Sequence, residues 1–380
     1  MDGPEVAALS CLLRIQSVTL THVRVPLVEP FRISSGAISE KDAILVALRS
    51  DGLTGYGESS PMPGQFYSTD TPEGSWRELC ETVVPAVIGR ELNGPAEWNR
   101  LLDSLGCGRF TTTGVETALW DIAAQRQGKP LYQLLGGKRA AVQSGLAVGL
   151  YDNIQDMLRT AERHLATGRY RRLKLKIEPG RDIEIVRAAR QEFGDIPMYV
   201  DANGAYALEQ SEIFERLDEF GLMMFEQPLP GPALEDLATL RTKVRTPICL
   251  DESLETVLLL QRAIELGSLD IANFKLQRIG GFHHALEMLE ICRRHAISAW
   301  VGTMPELGIG QAQGAALATL EGFNFPTDVE ASLRWFRSDI IAPLIEVHNG
   351  CINMRDEPGL GYGIDQANVE RYRIAEQAFS

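Results

Sequence analysis

Apolar and polar residues alternate through Val18-Thr19-Leu20-Thr21-His22-Val23, the period-two pattern of a half-buried strand. Residues 43–49 and 53–58 continue in β texture on either side of Asp51-Gly52, a dipeptide favoured in tight hairpin turns. From 72 to 128 the pattern turns helical, broken at Gly or Pro into 72–89, 95–105 and 113–128. Residues 17–137 therefore read as one α+β unit ending at Leu135-Gly136-Gly137, and 1–16 as a disordered extension. Beyond it the chain repeats. Short β-rich runs recur at 142–149, 172–177, 197–202, 222–227, 246–252, 270–276, 297–302 and, more weakly, 323–327. Helical texture fills 182–193, 208–220, 234–244, 256–266 and 283–295 between them. The pattern predicts an α/β fold with a (β/α)8-type TIM barrel over 138–345, and a final segment, 346–380, returning to the α+β capping unit. A doubly wound open sheet is the rival, but no strand run ends in the G-x-G-x-x-G turn that such sheets use for dinucleotides.

Charge narrows the partners. Fifty-one acids against 37 bases leave a net charge of −14, which opposes nucleic acid and anionic membrane surfaces. The six cysteines lie far apart with no metal spacing and read as free thiols of a reducing compartment. The first residues carry acids where a leader peptide carries bases, and no apolar run reaches the length of a membrane span, so a cytoplasmic protein is expected.

Only seven of the 37 basic residues are lysine, and three of these fall at the ends of barrel strands. The polar residues at the C-terminal ends of the middle strands are Lys176, Asp201, Glu226, Asp251 and Lys275, at intervals of 25, 25, 25 and 24. A barrel delivers such residues to one rim, where its functional groups sit. A single acid after a strand is ordinarily a helix cap or turn residue, and a strand lysine ordinarily reaches to solvent. Five at one periodicity, embedded in runs such as Leu173-Lys174-Leu175-Lys176-Ile177, are another matter. Three carboxylates from adjacent strands repel one another, a divalent cation resolves this, and an all-oxygen shell suits Mg²⁺. A cation on a substrate carboxylate acidifies the α-proton. A lysine removes that proton only if desolvation and a neighbouring cation make it less basic than in water.

These motifs resemble the enolase superfamily, whose members pair a Lys or His base with Mg²⁺. The resemblance runs from about Ser17 to the end, through the Lys174-x-Lys176 pair, Asp201-Ala202-Asn203, Glu226-Gln227-Pro228, Asp251-Glu252-Ser253 and Asn273-Phe274-Lys275. Lysines on both sides resemble the muconate-lactonizing subgroup, and the seventh strand lacks the His of a mandelate-racemase-like site. Arg245-Thr246-Pro247-Ile248-Cys249-Leu250, Lys275-Leu276-Gln277-Arg278-Ile279-Gly280-Gly281 and Met304-Pro305-Glu306-Leu307-Gly308 resemble the o-succinylbenzoate synthase and N-succinylamino acid racemase group. Thr303 and Gln311-Ala312-Gln313-Gly314 depart from it near the substrate end.

The resemblance implies Asp201, Glu226 and Asp251 as Mg²⁺ ligands (Mn²⁺ as a substitute), supported by Asn203 and Glu252. Lys176 is then the main acid/base, Lys174 tunes it, and Lys275 stands opposite. The partner is a small-molecule carboxylate, a succinylated hydroxycyclohexadiene leading toward menaquinone, with N-succinylamino acid racemization through the same lysines. Arg32, Phe66 and Tyr67 of the cap loops, with Thr303, Met304 and Glu306, are the candidate substrate contacts, and self-association is left open. A dipeptide epimerase is the runner-up, although it calls for Asp-x-Asp where this chain has Asp328-Val329-Glu330. A non-catalytic binding barrel is the rival of a different class. The six histidines read as structural.

Overall fold

The computed structural model describes residues 11–64 and 67–380. Strands Ser17–Ile33, Gly36–Ser50 and Leu53–Ser59 form an antiparallel meander. The last strand of the chain, Arg373–Phe379, adds to its outer edge by pairing with Ser17–Ile33. Before it, Gly359 and Leu360 hydrogen-bond the cap at Lys129, Leu131 and Asp121. Cys351–Asn353 pairs with Ala141–Gln143, and Gly363–Ile364 with Ile341–Ala342. Helix Arg109–Arg126 lies on the sheet, and the close approach depends on glycine. A Cβ on Gly57 would stand 1.8 Å from the carbonyl oxygen of Gly114. The helix begins four residues before the expected start at 113, and Thr113 within it turns its hydroxyl onto the Arg109 carbonyl at 2.7 Å.

The expected extension 1–16 is ordered in its second part. Leu12–Arg14 pairs with Glu91–Asn93, and Leu13 and Ile15 are buried. Residues 1–10 lie outside the described residues.

Seven parallel strands build the barrel in sequence order: Leu146–Val148, Leu173–Lys176, Met198–Asp201, Phe225–Glu226, Ile248–Leu250, Ile271–Phe274 and Ser298–Val301. The expected eighth run, 323–327, is not a strand. It closes the gap through single bridges, Phe323 to Ala299 and Thr327 to Ser144. Asn324 N–H donates to Ala299 O at 2.9 Å and Gly145 N–H to Thr327 O at 2.9 Å. Pro326 has no N–H to give, which explains why no continuous ladder forms. Inside the barrel, Arg172 lies over the Tyr199 and Trp300 rings at 4.7 and 5.5 Å, above a small apolar floor with Met224, Cys249 and Ile271. No described helix is long and apolar enough to cross a membrane.

Candidate active site

Parallel register puts the acids level. Asp201 is the partner of Lys176 on one side and of Glu226 on the other. Asp251 and Lys275 follow immediately after the next two strands. Two non-glycine residues take positive φ just past these ends, Asn203 at 44° and Gln227 at 39°, the kind of local strain that persists where a site needs it. Gln227 uses that turn. Its Oε1 accepts from the N–H groups of Asp251 and Ser253 at 2.9 and 3.1 Å, tying one strand end to the next.

Each carboxylate is matched with cations. Lys176 Nζ donates to Asp201 Oδ2 at 2.6 Å and to Asn203 Oδ1 at 2.7 Å. Lys174 Nζ lies 3.0 Å from Asp201, 2.8 Å from Glu226 and 3.1 Å from Asp328. Lys275 bonds Asp251 at 2.8 Å, and Arg278 pairs with the other oxygen of Asp251. Burial alone would raise Asp201 and Asp251, but Lys174 with Lys176, and Arg278 with Lys275, hold them well below the usual carboxylate range. Glu226 goes the other way. Burial first and Asp201 second push it up to about 8.

Two lysines of the site gain basicity. Burial lowers both Lys174 and Lys275, yet Asp201 and Asp328 outweigh it for the first and Asp251 for the second, so both are raised. The cause is the negative charge of the acids packed against them. A divalent cation would relieve it. Among the described residues no three acids yet stand close enough to close a metal shell, since ammonium groups lie between them. The donor set nevertheless fits an oxygen-ligated cation: three fully buried carboxylates on adjacent strands, with Glu226 Oε2 lacking an aligned hydrogen bond although Lys174 is 2.8 Å away.

Lys174, Lys176, Lys275, Asn203, Tyr67, Thr303 and Met304 line one enclosed pocket with Phe31, Ile33, Met62 and Trp335. Tyr67 OH accepts from Lys275 at 2.7 Å and Arg278 at 3.0 Å. Glu252 stays behind the wall, accepting from Asn203 Nδ2 at 2.9 Å, and burial pushes it up to about 7. Two of the expected substrate contacts do not line this pocket. Arg32 points away to Asp152 at 2.7 Å, because strand alternation sends its neighbours Phe31 and Ile33 inward. Glu306 is not among the lining residues; its Oε1 accepts from Met304 N–H at 3.0 Å and Gly310 of the following helix packs against it. Phe66 lies outside the described residues.

Three residues of the site, Arg278, Gln227 and Asn273, were given no role from the sequence. Arg278 sits one helical turn after Lys275, and Gln227 follows Glu226 directly. Asn273 Nδ2 donates to Glu226 at 2.8 Å and orients it. Asp328 accepts from Arg172 at 2.7 Å and Lys174 at 3.1 Å, and Glu330 accepts from Ala147 N–H at 2.7 Å beside Arg334, so neither acid is free.

Two family models match: the mandelate racemase / muconate lactonizing enzyme N-terminal domain over residues 15–136, and an enolase C-terminal domain-like model over 156–368. The chain is 40% identical to o-succinylbenzoate synthase of Geobacillus kaustophilus, over 95% of this chain and 96% of that one. It is 36% identical to N-succinylamino acid racemase of Thermus thermophilus, over 97% and 100%. A solved enolase-superfamily member from Listeria innocua superposes with a TM-score of 0.91 at 32% identity, covering 97% of this chain and 99% of that one.

Proposed function

The chain belongs to the enolase superfamily and is one of its enzymes; on that premise we propose that it is an o-succinylbenzoate synthase able to racemize N-succinylamino acids at the same site. The observation that carries this reading is the pair Lys176 and Lys275, which share one pocket and flank three strand-end carboxylates.

Asp201, Glu226 and Asp251 would hold Mg²⁺, or Mn²⁺ in its place, and Gln227, Asn273 and Asn203 keep them oriented. Bound there, the cation supplies the positive charge that lets a carboxylate give up its α-proton. Lys176, steered by Asp201 and Asn203, takes that proton on Nζ. In dehydration the hydroxyl leaves from the same face, so Lys176 returns the proton to it and water departs. Lys275 then needs only to put positive charge beside the delocalised electrons. In racemization Lys275 delivers a proton to the opposite face instead. Phe31, Ile33, Met62, Met304 and Trp335 give the pocket an apolar wall that keeps water from the carbanion.

The epimerase alternative is weaker because Asp328, which lines the pocket, is already ion-paired with Arg172 and Lys174, and Glu330 with Arg334. The deciding assay offers the succinylated hydroxycyclohexadiene carboxylate, a panel of N-succinylamino acids and a panel of dipeptides. Dehydration of the first is expected. Epimerization of dipeptides without it would overturn the proposal.

A further inference from the structure

Two buried carboxyls that the reaction does not use meet where cap and barrel join. Glu58, near the end of the cap strand Leu53–Ser59, accepts from Leu307 N–H at 2.8 Å, Gly310 N–H at 2.8 Å and Ser60 Oγ at 2.9 Å. Leu307 and Gly310 belong to the entry and first turn of barrel helix Gly308–Ala318, whose own N-cap residue, Leu307, supplies no side-chain hydrogen bond. The cap domain therefore finishes a barrel helix. Glu306 lies alongside, its Oε1 accepting from Met304 N–H at 3.0 Å and its Oε2 buried without a partner. Lys41 comes from the cap sheet and donates to Ser60 O at 2.8 Å, touching Met62 Sδ at 3.6 Å. The packing admits no side chain at 310, where a Cβ would stand 2.6 Å from Glu306 Cβ and 3.2 Å from Glu58 Cδ.

Both ends of this cluster reach the substrate pocket. Met62 lines it from the cap, and Thr303, Met304 and Pro305 line it from the loop that leads into the helix. Burial first and Glu306 in addition push Glu58 up to about 8, and burial pushes Glu306 up to about 7. Three donors on Glu58 favour its ionised form.

We infer that Glu58 is a positioning residue: by bonding Leu307 and Gly310 from the other domain it fixes the 303–307 loop against Met62, and so sets substrate affinity rather than the proton transfers. The inference rests on the proposed function only in taking 303–305 as a wall of the substrate site.

Glu58→Gln keeps the shape but turns an amide NH₂ toward a backbone N–H. KM should rise about tenfold with kcat within about twofold, and the amides of Leu307 and Gly310 should exchange with deuterium faster. Glu306→Gln, which mimics the protonated acid, should leave KM within about twofold. Faster exchange with an unchanged KM overturns the inference, as does a fall in kcat without a rise in KM. Should Glu58→Gln fail to fold, Ser60→Ala removes a donor from the same carboxylate and is read by the same KM and kcat split. The exchange measurement needs no substrate. A wild-type enzyme inactive on every carboxylate thus defeats the proposed function alone, whereas unchanged exchange in Glu58→Gln defeats the latch alone.

Discussion

The rim and the cap–barrel junction both bury three or more ionisable groups, and they satisfy them in opposite ways. At the rim, Asp201, Glu226 and Asp251 are answered by the side-chain cations Lys174, Lys176, Lys275 and Arg278. At the junction, Glu58 is answered by backbone N–H groups and a hydroxyl. Side-chain ammoniums move away when a stronger cation arrives, whereas helix N–H groups stay where the backbone puts them. The first arrangement suits exchangeable chemistry and the second suits a fixed joint.

The largest effect that would sharpen this contrast is at the rim. Lys176→Ala should lower turnover by about 10²- to 10⁴-fold while circular dichroism shows the fold unchanged. Chelation should likewise abolish activity, with Mg²⁺ or Mn²⁺ restoring it; full activity after exhaustive EDTA treatment would remove the metal from the account. Lys275→Arg keeps the charge but Arg does not deprotonate, so dehydration should survive measurably while racemization falls by a far larger factor.

Stability divides the regions next. In the metal-free protein Glu226→Gln should unfold at about the same temperature, because its Oε1 can keep Asn273 while Oε2 makes no aligned hydrogen bond to lose. Glu58→Gln should instead lose about 1–3 kcal/mol through a broken buried hydrogen bond. If calorimetry ranks them the other way, the contrast fails.

The smallest effect belongs to Asp42 of the cap sheet, next to Lys41 in the chain but bonded to neither cluster. Burial alone would raise Asp42, but His22 at 2.8 Å and Arg24 at 3.1 Å pull its pKa below 3.8. Its contribution to stability is present above pH 3.8 and is lost as pH falls through the lower folded value. Arg24 is 40% exposed, so solvent screening keeps the Arg24 part within about 1 kcal/mol. Asp42→Asn should flatten the acid limb of melting temperature against pH and leave KM untouched.

The rim was legible in the sequence because its residues recur at a spacing of about 25, one strand–helix unit, and because lysine is rare in this chain. The junction was not. Leu307 and Glu58 lie 249 residues apart, and only the path of the folded chain brings them together. Sequence gave Arg32 and Glu306 to the substrate, yet alternation along Phe31-Arg32-Ile33 turns the arginine outward, and Glu306 is held by Met304 N–H and packed against Gly310. The eighth barrel run was readable as a position but not as a strand, since Pro326 interrupts its ladder.

The central claim is that one pocket holds proton-transfer groups on both faces of a carboxylate's α-carbon. It is tested most directly by proton NMR of single enantiomers of an N-succinylamino acid in D₂O with Mg²⁺. The wild-type enzyme should exchange the α-proton of both. Lys176→Ala should retain exchange for one enantiomer and Lys275→Ala for the other. Exchange of both enantiomers at the wild-type rate in either variant would contradict the account.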